Sequence, residues 1–426
     1  MARENYLDIE IDLSRDSLFD KLGIQRLQES YMKDEETSPQ HRFAFVSKTF
    51  GSNPEHAQRL YEYASKHWLS YATPILSFGR SKRGMPISCF LNFIDDTAEG
   101  LVENLSETNW LSMLGGGVGI GFGIRAADDK STGVMPHLRT YDASSMAYRQ
   151  GRTRRGSYAA YLDISHPDVG LFLEMRKPTG DPNMRALNLH HGINITDDFM
   201  RAVERDGMWD LKDPHEDTVR ESMPARTLWQ QILEVRYRTG EPYLNFIDTA
   251  NRALPHTMKA KGLKIHGSNL CNEIHLPTSE DRTAVCCLSS VNLEKFDEWK
   301  DSTLIKDLTR FLDNVLQFFI DNAGDEISRA RYSATQERSL GLGAMGWHSL
   351  LHSKRIAFDS HEARELNWDV FRTIKEQAHQ ESIQLGLERG EAPDMRGTGR
   401  RNAHLLAIAP NANSSIICGT SPSIEP

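Results

Sequence analysis

The segment SNLCNEI, residues 268–274, places an amide, a thiol and a carboxylate at alternate positions of the chain. If the segment is extended, residues two apart point to the same side, and Asn269, Cys271 and Glu273 share one face. No histidine stands beside Cys271 in the sequence to act as its base, and the Glu273 carboxylate would disfavour a thiolate by charge repulsion. The pattern therefore disfavours nucleophilic catalysis by cysteine and favours a neutral thiol that donates and accepts hydrogen atoms.

A second group of thiols is the adjacent pair Cys286 and Cys287 in AVCCLSSVNL. Either cysteine alone would by default be a small buried hydrophobic residue in a strand. The chain has 16 histidines, but no CxxC or HxxxH-type pairing surrounds the cysteines as structural zinc sites require, so no metal site is predicted. Five cysteines are too few for a disulfide scaffold in 426 residues, and any pairing among them is predicted to be catalytic.

The segment GLGAMG has the spacing of a dinucleotide-binding turn, with glycines at Gly341, Gly343 and Gly346. That fingerprint also needs a preceding buried strand and an acidic residue about 20 positions later. The preceding residues ISRARYSATQERS are polar and helix-like, and Asp359 follows too early. The glycines are therefore predicted to permit a close contact with a helix. An NAD(P)-dependent dehydrogenase is the alternative function.

Two polar loops have the composition of phosphate sites. The basic run Arg149–Arg155 in RQGRTRRG is either a solvated loop or a place where guanidinium groups and backbone amides converge on an anion. The final segment PNANSSIICGTS follows a strand-like run and carries amides and hydroxyls that can hold a phosphate without charge. An ordinary surface turn is the alternative for this second loop.

Helices and strands must position these segments. Residues 1–70 have apolar side chains at helical spacing and are predicted to form an N-terminal helical segment. Short apolar runs with glycines between residues 74 and 123 predict buried strands joined by tight turns. Long amphipathic helices are predicted at LIKDLTRFLDNVLQFFIDN and at EARELNWDVFRTIKEQAHQESIQLGLERG. Alternation of short strands with long helices is typical of an α/β fold with largely parallel strands.

Composition excludes several classes of protein. Apolar residues at 39% and charged residues at 26% describe a globular chain, and a net charge of -9 argues against non-specific binding of nucleic acid. The acidic start MARENYLDIEIDLS is unlike a secretory signal, and no apolar run reaches membrane-spanning length. The expected location is the cytoplasm.

Four motifs in this order, PISCFL, SNLCNEI, CLSSVNL and APNANSS with SPSIEP, resemble the catalytic subunit of ribonucleotide reductase. The resemblance runs from about Ala72 to Pro426. It implies an α/β barrel of the ribonucleotide reductase and glycyl radical type over residues 71–426. Such a barrel has ten strands in two parallel five-stranded halves around a central finger loop, and the helical segment 1–70 would precede it.

The resemblance implies a radical reaction. Cys271 would be the transient thiyl radical that removes the 3′ hydrogen atom of the ribose. Glu273 would take the proton of the 3′-hydroxyl, which eases loss of the 2′-hydroxyl. Asn269 would hydrogen-bond the sugar hydroxyls and orient the radical intermediate.

The resemblance also implies a redox pair. Cys89 and Cys286 would be the dithiol that protonates the departing 2′-hydroxyl and supplies two reducing equivalents as it closes to a disulfide. Counting back from Asn292 in CLSSVNL selects Cys286, and Cys287 is the alternative.

Nucleotide sites follow from the same motifs. The residues matching the substrate-phosphate site are Thr73, Ser88, Asn411, Ala412, Asn413 and Ser414. The effector that sets base specificity would contact Asp96, with Arg125 at its phosphates and the loop 126–134 over it. Arg185, in the segment 179–187, would report the effector's identity to the substrate base. The few hydroxyls at residues 411–412 leave the choice between diphosphate and triphosphate open.

Partners are implied as well. The radical would come from a ferritin-like small subunit with a dimetal centre or, alternatively, from adenosylcobalamin. Thioredoxin or glutaredoxin would be the reductant, a deoxynucleoside triphosphate or ATP the effector, and a homodimer an expected assembly. DNA and membranes are not expected partners.

The two ends of the chain differ from many relatives. Nothing before ATPILSFG resembles the family's activity-controlling cone, so no such switch is expected. The sequence stops at SIEP, before the family's adjacent tyrosines and mobile cysteine pair. A truncated sequence, a second polypeptide and a compact enzyme are the three explanations. A nucleotide-binding fragment without catalysis is therefore a further alternative function.

Overall fold

The computed structural model describes residues 3–81, 84–148 and 156–426. The basic run Arg149–Arg155 lies outside these described residues, so its phosphate-site interpretation stays a prediction. The chain divides into two compact units. The first unit comprises Met1–Ser88, Cys286–Ala323 and Ala334–Pro426, and the second comprises Cys89–Val285 and Gly324–Ser333.

The strands of the described chain are short. Their bounds are β1 (Arg3–Tyr6), β2 (Ile9–Asp12), β3 (Leu69–Tyr71), β4 (Cys89–Ile94), β5 (Gly117–Phe122), β6 (Tyr158–Asp163), β7 (His190–Ile195), β8 (Met208–Lys212), β9 (Val219–Pro224), β10 (Tyr243–Phe246), β11 (Ala284–Asn292) and β12 (Leu340–Met345).

The helices range from one turn to 29 residues. Their bounds are α1 (Lys21–Ser30), α2 (Pro39–Phe50), α3 (Pro54–Ser65), α4 (Thr73–Leu76), α5 (Ala98–Met113), α6 (Val134–Ala147), α7 (Val169–Glu174), α8 (Asp197–Glu204), α9 (Ala225–Thr239), α10 (Ile247–Ala253), α11 (His256–Ala260), α12 (Phe296–Trp299), α13 (Leu304–Asn322), α14 (Ser328–Glu337), α15 (Trp347–Ser353), α16 (His361–Arg389) and α17 (Ala412–Cys418).

A parallel sheet forms the core of the second unit. Its strands lie in the order β10-β7-β6-β5-β4, and Cys89 of β4 pairs with Gly117 of β5. All six residues of β5 are buried, as expected for a parallel strand covered on both faces. Helices connect successive strands because parallel pairing needs long crossovers. The predicted α/β class with parallel strands is confirmed.

The first unit contains its own strands and the longest helices. Strand β11 pairs parallel with β12 over Cys287–Asn292 and antiparallel with β3. The predicted amphipathic helices correspond to α13 and α16, which pack together. Between them the Arg310 guanidinium donates to Glu381 from Nε at 2.7 Å. The apolar stripe of α13 is fully buried, so its 3.6-residue period was a reliable helix signal.

The N-terminal region combines helices with a strand pair. Ser38 and Asn53 cap α2 and α3 with their side chains, and a proline follows each cap at the first helical position. Strands β1 and β2 form an antiparallel pair that the helical prediction for residues 1–70 did not include. The alternation IEID was its signal, because Ile9 and Ile11 are buried while Glu10 is exposed.

In GLGAMG, Gly341 and Gly343 lie inside strand β12, and only Gly346, with φ of 81°, forms the turn into helix α15. A Cβ atom on Gly341 would lie 2.3 Å from Leu288 Cδ2, and one on Gly343 would lie 2.6 Å from the Ala407 carbonyl oxygen. The glycines therefore permit close contacts with β11 and with residue 407, and the prediction of a close helix contact is wrong. Because two of the three glycines lie inside the strand and not in the turn after it, the motif does not match a dinucleotide site, which removes the basis for the dehydrogenase alternative.

No helix within the described ranges combines the length and the apolar character that crossing a membrane requires.

Candidate active site

The segment SNLCNEI contains a turn in the second unit, so the extended conformation considered as a condition above is not the one it adopts. The Asn272 amide donates to the Asn269 carbonyl oxygen at 3.2 Å, and Asn272 has a left-handed backbone with φ of 64°. Asparagine adopts this region more readily than most residues. As a result Asn269 is fully buried while Cys271 is exposed at the apex, and the two side chains do not share one face.

The Asn269 side chain stabilises this turn. Its Oδ1 accepts hydrogen bonds from the backbone amides of Glu273 and Ile274, both at 3.0 Å. Side-chain bonds to nearby amides are the reason that asparagine competes with extended structure. Its Nδ2 donates to Cys89 Sγ at 3.5 Å. The structure thus brings the predicted Asn269 and Cys89 together, and Asn269 connects the turn to the first residue of β4.

Glu273 has an unusual environment for a carboxylate. Its Oε2 atom is buried and has no hydrogen-bond partner among the described residues. Burial raises the pKa of Glu273, and bonds from Asn269 and from the backbone oppose this shift without cancelling it. A carboxylate with a raised pKa is a stronger base near neutral pH. The turn therefore presents an exposed thiol two residues from an activated proton acceptor.

Alternate glycines of β5 let the turn lie against the sheet, together with the residues just before it. We call those preceding residues, 266–268, the stem. A Cβ atom on Gly117 would lie 2.8 Å from Leu270 Cδ2, and one on Gly119 would lie 1.8 Å from the Ser268 carbonyl oxygen. At Gly121 the corresponding distance to the His266 carbonyl oxygen is 3.1 Å. We call these three residues the glycine track. In the sequence GVGIGF a glycine stands at every second position, and this spacing was the available signal that another backbone segment lies close to the strand. From the sequence, these glycines were interpreted only as turns between strands.

Cys286 lies in the first unit on a buried strand face. Along β11 it shares a face with Leu288 and Ser290, whereas Cys287 points to the opposite face. A Cβ atom on Gly341 would lie 2.8 Å from Cys286 Sγ, and Ser290 Oγ donates to Asn411 Oδ1 at 3.0 Å. Cys286 and the predicted phosphate loop are therefore connected through one face of β11.

The predicted phosphate loop begins helix α17. Asn411 has a left-handed backbone with φ of 57°, and its Nδ2 donates to the carbonyl oxygens of Ala344 and Ala409 at 3.2 and 2.9 Å. Its amide is thus used to hold the loop. Ala412 is exposed, Asn413 is half-buried and Ser414 is buried.

Two further predicted phosphate ligands lie elsewhere in the first unit. Thr73 begins α4, where its Oγ1 lies 3.2 Å from the Tyr31 hydroxyl oxygen. Ser88 is buried directly before β4.

Comparison with known families covers most of the chain. The family described as the ribonucleotide reductase barrel domain matches residues 87–398, and the ribonucleotide reductase all-alpha domain matches residues 17–84. The chain belongs to the ribonucleotide reductase large-subunit family. The resemblance carried by the four motifs is thereby confirmed.

Individual relatives agree with this assignment. The ribonucleoside-diphosphate reductase large subunit of Invertebrate iridescent virus 3 is 49% identical over 98% of this chain and 75% of the relative. The alpha subunit of Helicobacter pylori strain J99 is 27% identical over 99% of this chain and 70% of its own length. Among solved structures, the Actinobacillus ureae class Id ribonucleotide reductase alpha subunit superimposes with a TM-score of 0.84 at 34% identity. That match covers 96% of this chain and 76% of that chain.

The effector residues predicted for this reductase chain lie in the second unit. Arg125 Nε and Asp96 Oδ2 form an ion pair at 2.5 Å, and His215 Nδ1 lies 3.6 Å from the same oxygen. Asp96 also lines a cavity of about 320 Å³ at the ends of β4–β7. Arg185 bonds within its own loop instead of to this ion pair: its Nε donates to the Thr179 carbonyl oxygen at 2.8 Å.

Two tyrosines beside the turn were missed by sequence reasoning. The Tyr161 hydroxyl on β6 donates to the Asn269 carbonyl oxygen at 2.6 Å. Tyr243 on β10 is half-buried, and burial with the nearby Glu241 and Cys271 raises its pKa to about 12. The segments YAAYLDI and EPYLNFI carry no signal for this placement, because it depends on a segment more than 20 residues further along the chain.

Proposed function

We propose that this chain is the catalytic subunit of a ribonucleoside-diphosphate reductase that forms 2′-deoxyribonucleotides by a thiyl radical mechanism. The observation that carries the proposal is the Asn269–Ile274 turn. It holds an exposed thiol at its apex and, two residues later, a half-buried carboxyl with one buried oxygen and a raised pKa. Both groups suit the roles that the family assigns to matching positions.

Cys271 begins the reaction as a thiyl radical. The sulfur takes the 3′ hydrogen atom of the ribose, so that an S–H bond forms, the 3′ C–H bond breaks and the unpaired electron moves to the 3′ carbon. Exposure of Cys271 at the apex supports this role, because the sulfur must contact the substrate. The same hydrogen atom returns to the product at the end of the cycle and restores the radical.

Glu273 accepts the proton of the 3′-hydroxyl. Because burial raises its pKa, the carboxylate binds this proton more tightly than an ordinary glutamate would. Its Oε2 atom, which has no hydrogen-bond partner among the described residues, gives the proton a place to bond. Removal of the proton makes loss of the neighbouring 2′-hydroxyl easier.

Cys89 and Cys286 supply the reducing equivalents. One thiol protonates the departing 2′-hydroxyl, so the 2′ C–O bond breaks and water leaves. The pair then passes two electrons and its second proton to the 2′ carbon, where a C–H bond forms while the two sulfurs form an S–S bond. The contact between Asn269 Nδ2 and Cys89 Sγ supports the assignment of Cys89. The shared face of Cys286 and Ser290 on β11 supports Cys286 over Cys287.

The loop 411–414 is the proposed site of the substrate phosphates, together with Thr73 and Ser88. Since Asn411 is already bonded to two carbonyl oxygens and to Ser290, we expect backbone amides and the Ser414 hydroxyl to provide the contacts. A diphosphate is the proposed substrate because the named relatives are ribonucleoside-diphosphate reductases.

The region around Asp96 is the proposed effector site. Arg125 is paired with Asp96 in this structure, so binding of an effector triphosphate must share or open that ion pair. A deoxynucleoside triphosphate or ATP is the proposed effector. The loop containing Arg185 would then change its internal bonds and report the effector to the substrate base.

A large subunit implies a small-subunit partner. We propose a ferritin-like subunit with a dimetal centre as the source of the radical on Cys271, with adenosylcobalamin as the other candidate. Thioredoxin or glutaredoxin is the proposed reductant of the Cys89–Cys286 disulfide. The cytoplasm is the proposed location, and a homodimer the proposed assembly.

The test is formation of deoxynucleoside diphosphate from ribonucleoside diphosphate with dithiothreitol as reductant. One arm contains adenosylcobalamin, and another contains a copurifying, metal-loaded small subunit. We expect product in one arm, complete loss in Cys271→Ser and in Cys286→Ser, and retained turnover in the matched control Cys287→Ser. Product formed by Cys271→Ser would refute the mechanism. Effector binding without turnover in any arm would favour the nucleotide-binding fragment.

A further inference from the structure

One buried side chain ties the apex of the turn to strand β6. The Tyr161 hydroxyl donates to the Asn269 carbonyl oxygen at 2.6 Å, and the same oxygen accepts from the Asn272 amide at 3.2 Å. We propose that Tyr161 is a positioning residue that sets the location of the Cys271 sulfur for hydrogen-atom transfer. This inference rests on the function proposed above, because it concerns the accuracy of one step in that reaction.

The Asn269 carbonyl oxygen controls the geometry of the turn. It is the acceptor of the hydrogen bond that closes the turn, and Cys271 lies between the donor and the acceptor residues of that bond. A group that holds the Asn269 carbonyl oxygen in place therefore also holds Cys271, at the apex of the turn, in place. Tyr161 is fully buried and belongs to a paired strand, so its hydroxyl is a fixed reference point.

The ring of Tyr161 supports the stem as well. A Cβ atom on Gly267 would lie 3.1 Å from both Cβ and Cγ of Tyr161, so the backbone at residue 267 lies close against the side chain. Further down the stem, His266 stacks on Phe93 with ring centroids 4.2 Å apart, and its carbonyl oxygen accepts from Asn194 Nδ2 at 2.9 Å. These lower contacts lie five residues before Cys271, whereas the bond from Tyr161 is made two residues before it.

The Tyr161 hydroxyl stays protonated and remains a donor. Burial raises the pKa of Tyr161 well above its ordinary value, and the neighbouring Tyr243 and Glu273 act in the same direction. Position matters here because a reacting atom displaced by about 1 Å can cost about a hundredfold in rate. Loss of this bond should therefore affect the chemical step more than the binding of substrate.

The first test measures the turn without any reaction. Tyr161→Phe keeps the ring and removes the hydroxyl, and Tyr158→Phe is its matched control. Tyr158 is equally buried on the same strand but points to the opposite face. We expect hydrogen exchange at the amides of residues 272–274 to become about tenfold faster in Tyr161→Phe only. Equal exchange in wild type and Tyr161→Phe would overturn the inference.

The second test measures the chemical step, using the radical generator found in the turnover assay and substrate deuterated at the 3′ carbon. In Tyr161→Phe we expect kcat to fall about tenfold, KM to stay within about twofold and the isotope effect on kcat to increase. A merely structural role would lower kcat through the fraction of folded protein and leave the isotope effect unchanged, which would refute the inference.

Failure of the inference and failure of the function are distinguishable. If wild type turns over and Tyr161→Phe matches it in rate and isotope effect, Tyr161 has no positioning role. If wild type forms no product with any generator, the proposed function fails, and the inference fails with it.

Discussion

The molecule buries two carboxylates in opposite ways. In the first unit, Asp313 of α13 is fully buried, and its oxygens accept from Arg338, Arg389 and Arg401 at 2.8–3.0 Å. In the second unit, Glu273 keeps one buried oxygen without a hydrogen-bond partner among the described residues. Asp313 is surrounded by compensating charge, whereas no charged side chain among the described residues offsets the burial of Glu273.

The pKa shifts of the two groups follow this difference. Burial alone would raise the pKa of Asp313, but the Arg338 and Arg401 guanidiniums outweigh burial and lower it. At Glu273 burial prevails, and the pKa is raised. A satisfied carboxylate holds a fold together, whereas an unsatisfied carboxylate retains the capacity to take a proton.

The largest expected effect comes from a substitution at Asp313, the carboxylate whose hydrogen bonds are satisfied. Asp313→Asn removes the charge that three guanidiniums share, which should lower the free energy of unfolding by about 3 kcal/mol. Urea denaturation followed by circular dichroism measures this change. Asp325→Asn is the control, because the Asp325 side chain is itself 96% exposed and its ion pair with Arg331 should contribute little to stability. Equal stability of the two variants would show that the cluster around Asp313 is not structural.

The next effect removes the proton acceptor. Glu273→Gln keeps the shape of the side chain but cannot take the proton of the 3′-hydroxyl, so kcat should fall by a factor of about 100 to 1,000. Turnover under the conditions of the Cys271→Ser assay measures the loss. The control is Glu326→Gln, which changes an acidic residue in the other segment of the same unit. A Glu273→Gln enzyme within about threefold of wild type would remove Glu273 from the mechanism.

The smallest effect concerns stability and pH. Because folding raises the pKa of Glu273, the folded state favours the protonated carboxyl, and wild type loses stability as pH rises from the ordinary pKa of glutamate through the raised value. Glu273→Gln lacks this loss and should be more stable above that window by about 1 kcal/mol or less. Denaturation at several pH values measures the difference. A stability gap that is constant with pH would contradict the raised pKa.

The same comparison shows what sequence reasoning could predict. Helix α13 was predictable because its apolar period is local, and the roles proposed for Cys271 and Glu273 came from a motif match. The side-chain arrangement was not predictable from alternation, since Asn269 bonds to the amides of residues 273 and 274 and folds the segment into a turn. The cluster of arginines around Asp313 was also not predictable from the sequence, because these arginines lie 25 to 88 residues away from Asp313 along the chain.

Glycines gave the most misleading local signal. GLGAMG has the spacing of a nucleotide-binding turn, but Gly341 and Gly343 lie inside a strand, where they make room for neighbouring chain segments. Spacing alone cannot separate a glycine needed for its backbone angles from one needed for its lack of a side chain.

The glycine track has a consequence for protein engineering. At Gly119 the obstacle is a backbone oxygen 1.8 Å from where a Cβ atom would sit, so no rotamer of any larger residue avoids it. At Gly121 the distance of 3.1 Å leaves room for a small adjustment. A designer who redraws the sheet face beneath the SNLCNEI turn therefore has almost no freedom at position 119, where volume and not chemical character decides which residue is accepted.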